Sequence, residues 1–349
     1  MNYFRPNIEA MAAYQPGEQP RVAKFIKLNT NENPYPPSSA VRRAIETVLD
    51  GGLVRYPDPA ADVFRRRAAE LHGVEPDWIL CGNGSDDILT IVTRALVGER
   101  ERMRMPYPSY ILYETLADIQ GAQYDPIPYE QDWSLGGTFT SGADDLKLAI
   151  IANPNSPSGT QIAPRQIAEF AERLPCPLLV DEAYVDFASA DCISLVRENE
   201  KVMVARSLSK GYALAGIRFG YLIAQPPLIE RFMKVKDSYN CNALAIAAAT
   251  AAIDDRSWLA EMRTKVLATR TRLIERLRDV GLQVTDSEAN FVWATQPELD
   301  LGRVYEQLKE MQVLVRYLGY PGWNEGLRIS VGTDDQVDAF LNALGATLV

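Results

Sequence analysis

The sequence predicts an α/β protein: a large unit with a mostly parallel central sheet flanked by helices, followed by a smaller α+β unit. Three observations carry this. From about residue 40 to 245, short apolar runs bounded by turn residues alternate with helical periodicity, the signature of repeated βα units. Beyond residue 255 the pattern changes to one long charged helix followed by three strands. The 349 residues are 47% hydrophobic and 23% charged, which is the composition of a globular chain long enough for two cores.

The first 35 residues, rich in Pro and Asn, read as an extended arm that must pack on another surface to be ordered. Residues 36–250 then form the large unit and residues 251–349 the small one. Candidate strands of the large unit are DWILCG (77–82), KLAIIA (147–152), PLLVDEA (177–183), KVMVAR (201–206) and IRFGYLIA (217–224), each a short apolar run closed by polar or turn residues. After the first of them, SDDILTIVTRALVG places Ile88, Ile91, Val92, Ala95 and Leu96 on one helical face, with Ser85 as its N-cap. In the small unit, SWLAEMRTKVLATRTRLIERLRDVG is the long helix and NFVWAT, VLVRYL and LRISVG are strands, with one helix between the first two and another after the last. No internal repeat, low-complexity tract or long linker interrupts the chain.

Charge and composition exclude several kinds of function. A net charge of −10 argues against a nucleic-acid partner, which needs clustered Lys and Arg, while leaving room for a small anion in a local basic site. No run approaches the ~18 apolar residues of a membrane span, and the first residues lack a basic head followed by an apolar stretch. A cytoplasmic location is expected. Cys81, Cys176, Cys192 and Cys241 form no CxxC pair, which suits buried reduced thiols rather than a zinc site or a disulfide frame, so no metal is expected. His72 is the one histidine and falls at the end of a helix that stops at Gly73. With one imidazole so placed, no Ser-His-Asp triad, Cys-His pair or HExxH zinc helix can be built. Catalysis must use Lys, Asp, Tyr or a cofactor.

The stretch ARSLSKGYALAGIRFGY puts Lys210 among small and apolar residues. An amine in an apolar setting spends more time neutral and nucleophilic, the condition for a Schiff base with an aldehyde; the alternative is an amine that snorkels to solvent. Asp181 ends the run LLVD at the carboxyl edge of a strand, where ligands bind in open α/β sheets. It reads either as a helix cap or as the partner of a pyridine nitrogen, and beside Lys210 the second reading is the pair a pyridoxal phosphate (PLP) enzyme requires. Tyr184 follows three residues later, either a core tyrosine or a partner for the cofactor's phenolic oxygen. The turn Gly82-Asn83-Gly84-Ser85, between a strand and a helix, aims backbone N–H groups at one point and so offers a phosphate site. Ser207 and Ser209 add hydroxyl donors, and Arg218 a matching planar charge. Tyr110, in YPSYILY, is a core residue or a stacking face for the ring, and Tyr56, in RYPDP, lies in an exposed turn where it meets a ligand or another chain.

These residues, together with KLNTNENPYPPS, GNGSDDI, NPNSPSGT, VDEAYVDF, SEANFV and a GEQP near the start, occur in an order that resembles the PLP-dependent aminotransferases of fold type I over almost the whole chain, and within them the branch acting on histidinol phosphate. The resemblance implies that Lys210 carries the Schiff base and shuttles the substrate proton. It implies that Asp181 pairs with the pyridine nitrogen and Tyr184 with the phenolic oxygen. Gly84, Ser85, Ser207, Ser209 and Arg218 would hold the phosphate, and Tyr110 would stack on the ring. Tyr56 would reach the neighbouring subunit's cofactor, making a homodimer part of the site. Arg328 and Arg316 would bind the substrate, whose partners are histidinol phosphate and glutamate or 2-oxoglutarate. At one position the chain departs from the pattern: Ser156 stands where an asparagine often contacts the phenolic oxygen, so that contact falls to Asn155, to a water or to Tyr184 alone. Within the same fold, an aromatic amino-acid aminotransferase or a threonine-phosphate decarboxylase would share every cofactor residue.

Overall fold

The central sheet is built from strands that the chain visits out of order, which brings distant residues to one edge. The computed structural model describes residues 3–12, 17–19, 25–142 and 144–348. Parts of the expected arm, residues 1–2, 13–16 and 20–24, lie outside them, including the proline of the GEQP motif. Among the described residues the strands are β1 (Ile26–Lys27), β2 (Ile79–Gly82), β3 (Arg102–Tyr107), β4 (Gln123–Pro128), β5 (Leu146–Ala152), β6 (Leu178–Asp181), β7 (Val202–Ser207), β8 (Gly220–Ile223), β9 (Gln283–Val284), β10 (Phe291–Thr295), β11 (Val313–Leu314), β12 (Arg316–Leu318) and β13 (Gly326–Ser330). The helices are α1 (Pro6–Ala10), α2 (Ser39–Asp50), α3 (Asp62–His72), α4 (Ser85–Leu96), α5 (Leu112–Gln120), α6 (Pro164–Arg173), α7 (Ile193–Glu198), α8 (Pro226–Phe232), α9 (Ala243–Asp254), α10 (Arg256–Asp279), α11 (Leu301–Glu310) and α12 (Asp334–Thr347).

The large sheet runs β2-β8-β7-β6-β5-β3-β4, parallel except for β8, which is antiparallel to both its neighbours. Its strands are buried on both faces, so they read as continuous apolar runs rather than alternating ones. One face packs under α3, α6, α7 and α9 around Phe64, Phe170 and Phe219, the other under α4, α5 and α8 around Ile88, Leu116 and Phe232. All five expected strands of this sheet are present: those at 77–82, 177–183 and 217–224 are shortened, the one at 147–152 gains Leu146, and the one at 201–206 is shifted to Val202–Ser207.

Two further strands of this large sheet, β3 and β4, were not legible in the sequence. In β3 an arginine interrupts the apolar pattern, yet Arg104 is only 2% exposed. Its guanidinium donates to Asp125 Oδ2 at 2.7 Å and to the carbonyls of Phe139 and Ser141 at 2.7 and 2.9 Å, which satisfies the buried charge. β4 contains Pro126 and Pro128, which hide its character but are tolerated because it is the edge strand.

The second sheet, β12-β13-β10-β9, is antiparallel and packs against α10, α11 and α12 through Leu273, Leu277, Val292, Ile329 and Phe340. These residues form a hydrophobic cluster of their own. Residue 250 falls inside α9, and Asp255 follows it, capping α10 by accepting from the Trp258 N–H at 3.1 Å. The start of the chain is stitched to this second body: β1 pairs in parallel with β11, and Leu28 N–H donates to Leu314 O at 2.7 Å. No helix of the described residues is long and apolar enough to cross a membrane, and no cluster of His, Cys, Asp or Glu among them could hold a metal.

Candidate active site

The carboxyl edge of the large sheet converges on a cavity of about 820 Å³ closed on its far side by β12, β13 and residues 29–32. Among the residues singled out in the sequence, Ser85, Tyr110, Ser156, Asp181, Tyr184, Ser207, Ser209, Lys210, Arg218, Arg316 and Arg328 line it. Gly84 lies directly behind Arg218, Asn155 is buried behind the wall, and Tyr56 lies elsewhere.

Strand register explains the anion-shaped end of the cavity. Gly82, Gly220 and Ser207 are paired across β2, β8 and β7. Because β8 is antiparallel, the start of β8 lies beside the ends of its neighbours. A Cβ at Gly220 would sit 2.6 Å from Ser85 N and 2.7 Å from the Gly84 carbonyl carbon, so only glycine lets the turn before α4 close onto the sheet. Gly84 itself has φ 89° and is the N-cap of α4, which corrects the expectation that Ser85 caps this helix; Ser85 is its first residue. The first-turn N–H groups of α4 have no intrahelical acceptor, and its first residues Ser85 and Asp86 line the cavity's end. Arg218 completes the cradle from a left-handed backbone at φ 57°, a conformation that costs a side-chain-bearing residue about 1–2 kcal/mol. Its guanidinium donates to Asp86 Oδ2 at 3.0 Å and reaches Ser209 Oγ at 3.4 Å. Ser207 Oγ accepts from Ser209 N–H at 3.2 Å.

Asp181 ends β6 at 4% exposure. Its Oδ2 accepts from the Tyr113 hydroxyl at 2.8 Å and its Oδ1 from Ala183 N–H at 3.1 Å. Burial pushes its carboxyl up to about 6, opposed by those two hydrogen bonds. The next residue, Glu182, pairs instead with Arg206 at 2.7 Å, so alternation along the strand sends one carboxylate to the cavity and one away from it.

Lys210 is half-buried, and its setting corrects the apolar one expected. Its Nζ donates to the Thr30 carbonyl at 3.1 Å and lies 5.6 Å from the centre of the Tyr184 ring, facing the cavity rather than the core. The segment Asn29–Asn33 grips this part of the site from the other body. Asn33 Nδ2 donates to the carbonyls of Lys210 and Gly211 at 3.1 and 3.0 Å, and Asn31 Nδ2 donates to the Tyr184 hydroxyl at 3.0 Å.

At the opposite end Arg316 and Arg328 face one another across β12 and β13 in register. Arg328 donates to Ser156 Oγ at 2.9 Å and to Asn29 O at 3.1 Å, and its guanidinium lies 5.4 Å from the centre of the Phe291 ring. Asn155 is spent on the loop: its Nδ2 donates to Pro108 O and Ser158 Oγ at 3.2 and 3.0 Å, and its Oδ1 accepts from Ser109 Oγ at 2.9 Å. It is 1% exposed and does not line the cavity, so it is not the substitute for the missing asparagine. Tyr110 is edge-on to Tyr113 at 5.6 Å, and Tyr56 is 82% exposed and stacked on Tyr239 at 4.6 Å.

Three participants escaped the sequence reading. Tyr113 follows Tyr110 by one helical turn and reads as packing, and nothing in the pattern shows that it faces a carboxylate. Asn31 and Thr30 lie in KLNTNENP, quoted as a motif but without a role for either residue.

The chain matches the family model described as aminotransferase class I and II over residues 23–344. A histidinol-phosphate aminotransferase of Rhodopirellula baltica is 55% identical over 337 residues, 96% of this chain and 93% of that protein. The histidinol-phosphate aminotransferase 1 of Trichormus variabilis is 44% identical over 98% of each chain. Among solved structures, histidinol-phosphate aminotransferase from Sinorhizobium meliloti in complex with pyridoxal-5'-phosphate superposes with a TM-score of 0.91 at 26% identity, covering 100% of this chain and 98% of that one.

Proposed function

We infer that this chain, which belongs to the class I and II aminotransferase family, is a PLP-dependent transaminase that exchanges an amino group between histidinol phosphate and 2-oxoglutarate. The observation that carries the reading is the single cavity into which Lys210, Asp181 and the Gly84–Arg218 cradle all open, opposite two arginines. The 55% identical relative of Rhodopirellula baltica supports the substrate.

The residues present fit the cofactor. The cradle of Gly84, Ser85, Ser207, Ser209 and Arg218 combines a helix N-terminus, hydroxyls and a guanidinium, the donor set a dianionic phosphate needs. Asp181 supplies a buried carboxylate for a ring nitrogen, Tyr184 a hydroxyl for the phenolic oxygen and Tyr110 a flat neighbour for the ring. When bound, PLP supplies an electron sink for the pair released at the substrate carbon. Lys210 Nζ is assigned the covalent attachment and then the movement of the proton from that carbon, for which its position over Tyr184, open to the cavity, is suited. Asp181 in its ionised form holds the ring nitrogen protonated. Arg328 serves two substrates in turn, a carboxylate in one half-reaction and a phosphate in the other, and a planar guanidinium suits both, with Arg316 beside it.

A homodimer belongs to this reading. Tyr56, with Leu53 and Val54, stands exposed on the turn after α2, and Tyr56 is assigned to the site of a second copy. The division into an arm (1–35), a cofactor-binding body (36–250) and a smaller body (251–349) belongs to it as well, as does a cytoplasmic location, for which the four buried free cysteines are suited.

Amino transfer from histidinol phosphate to 2-oxoglutarate, in competition with phenylalanine and tyrosine, tests the reading. Preference for histidinol phosphate is the expected result, with visible absorbance that borohydride removes and with no turnover in Lys210→Ala. A colourless protein at every pH ends the cofactor assignment, preference for the aromatic amino acids ends the substrate assignment, and CO2 release from a phosphoamino acid identifies a decarboxylase.

A further inference from the structure

We propose that Asn31 is a positioning residue that fixes the direction of the Tyr184 hydroxyl, so that its proton points into the cavity. The inference rests on the reading of Tyr184 as the partner of the cofactor's phenolic oxygen.

The argument follows protons along one chain of hydrogen bonds. Asn31 backbone N–H can only donate, and it donates to Ser330 Oγ at 2.8 Å. Ser330 has one hydroxyl proton, and that proton goes to Asn31 Oδ1 at 3.1 Å. With Oδ1 thus identified as the acceptor, the other end of the amide is Nδ2, and it donates to Tyr184 Oη at 3.0 Å. Tyr184 is therefore an acceptor toward Asn31, and its own proton has to go elsewhere. Among the described residues the Tyr184 hydroxyl has Asn31 as its hydrogen-bond partner, and Tyr184 lines the cavity, which is where its proton is free to go.

The amide is held rigidly enough to set that direction. Asn31 is 1% exposed and adopts a left-handed backbone at φ 56°, which asparagine tolerates better than most residues. Its carbonyl accepts from Asn290 Nδ2 at 3.0 Å, so the residue is pinned at main chain and side chain alike. The ring of Tyr184 is fixed too, edge-on to Phe291 at 5.0 Å.

The departure at Ser156 makes this arrangement matter. Ser156 Oγ accepts from Arg328, and the Asn155 amide is used within its own loop. Neither supplies an amide donor to the phenolic oxygen, so Tyr184 is the side chain left to do so. A hydroxyl free to rotate would spend part of its time directed elsewhere; one that already accepts from an amide does not.

The charged groups around Tyr184 are Lys210 over its ring, Asp181 three residues earlier at the end of β6, Arg328 over Phe291, and Glu32, whose carboxylate feels Lys210. Because they act on the same ionisation, the test separates direction from charge. In the holoenzyme, the pH midpoint of the change in visible absorbance is measured for four proteins: the unaltered chain, Tyr184→Phe, Asn31→Asp and the double variant. Tyr184→Phe removes the donor and is expected to raise the midpoint. Asn31→Asp keeps the shape and the tolerance of a left-handed backbone but offers an acceptor, which turns the tyrosine proton away from the cavity. It is expected to raise the midpoint by about one unit, a tenfold change in the ionisation constant. In the Tyr184→Phe background the same substitution is expected to act less than half as strongly, because only its charge remains.

Equal shifts in the two backgrounds, or no shift from Asn31→Asp, overturn the proposal. No shift from Tyr184→Phe sinks the assignment of Tyr184 itself, and the proposal with it. Should Asn31→Asp fail to fold, Ser330→Ala releases the amide and is read in the same two backgrounds, with a rise confined to the protein that keeps Tyr184 expected and equal behaviour overturning the proposal.

Discussion

Tyr113 donates its hydroxyl proton to Asp181 Oδ2 across 2.8 Å, at a place where both side chains are buried. A donor there stabilises the carboxylate against the burial that would protonate it, and a hydrogen bond to a charged group is worth about 1.5–3 kcal/mol. Tyr113→Phe keeps the ring and removes the donor, so the Asp181 carboxyl rises further above its ordinary range. The expected result is cofactor binding at neutral pH weakened about tenfold or more, followed by titrating PLP into the protein. Unchanged affinity would show that the contact only packs the core.

The same carboxylate sets a dependence of stability on pH. Asp181 has its folded value raised to about 6 from an ordinary 3.8. A group raised on folding contributes stability that is complete below its unfolded value and is lost as pH climbs through its folded value. In cofactor-free protein, Asp181→Asn is therefore expected to be more stable than the unaltered chain at pH ~8, by about 3 kcal/mol from a shift of about two units, and to lose that advantage near pH ~4. Denaturant titration at the two pH values reads it; an advantage of equal size at both would contradict the assignment.

Gly220→Ala tests the cradle through shape alone. The added methyl would lie 2.6 Å from Ser85 N and 2.7 Å from the Gly84 carbonyl carbon, both main chain and unable to swing aside. Overpacking of this kind costs about 1–3 kcal/mol. The turn before α4 is expected to open, lowering the melting temperature and weakening the binding of PLP and of inorganic phosphate together. A stable protein with full phosphate affinity would place the anion elsewhere.

Arg328→Lys keeps the charge and removes the fork that reaches both Ser156 Oγ and Asn29 O. A lysine cannot hold a carboxylate or phosphate by two parallel bonds, so kcat/KM is expected to fall about a hundredfold for both half-reactions, mainly through KM, which corresponds to ~3 kcal/mol. A loss confined to one half-reaction would assign the other substrate's anion to Arg316.

The parts of this molecule legible in its sequence are those where local pattern and chemistry coincide. Asp181 was legible because it ends an apolar strand, and the Gly82–Ser85 turn because glycines stand between a strand and a helix. The setting of Lys210 was read only in part, since its neighbours in sequence are apolar while its amine faces a polar cavity. β3 was hidden because the charge of Arg104 is neutralised by Asp125, 21 positions further along the chain and beyond the short window that reveals a strand. Tyr113 and Asn31 were missed for a related reason. Each acts through a hydrogen bond to a residue far away in the chain, 68 positions for Tyr113 and 153 for Asn31, so their meaning exists only after folding.

The bond between Asn31 and Ser330 joins residues separated by 299 positions. While the chain is being translated, the large sheet has every strand it needs once Ile223 has left the ribosome. Residue 330 follows more than a hundred codons later, roughly 5–20 s at ordinary elongation rates. Throughout that interval Asn31, already made, lacks Ser330, and for most of it Asn290 as well, so the amide that directs the Tyr184 hydroxyl gains the last of its anchors only as the last strand emerges.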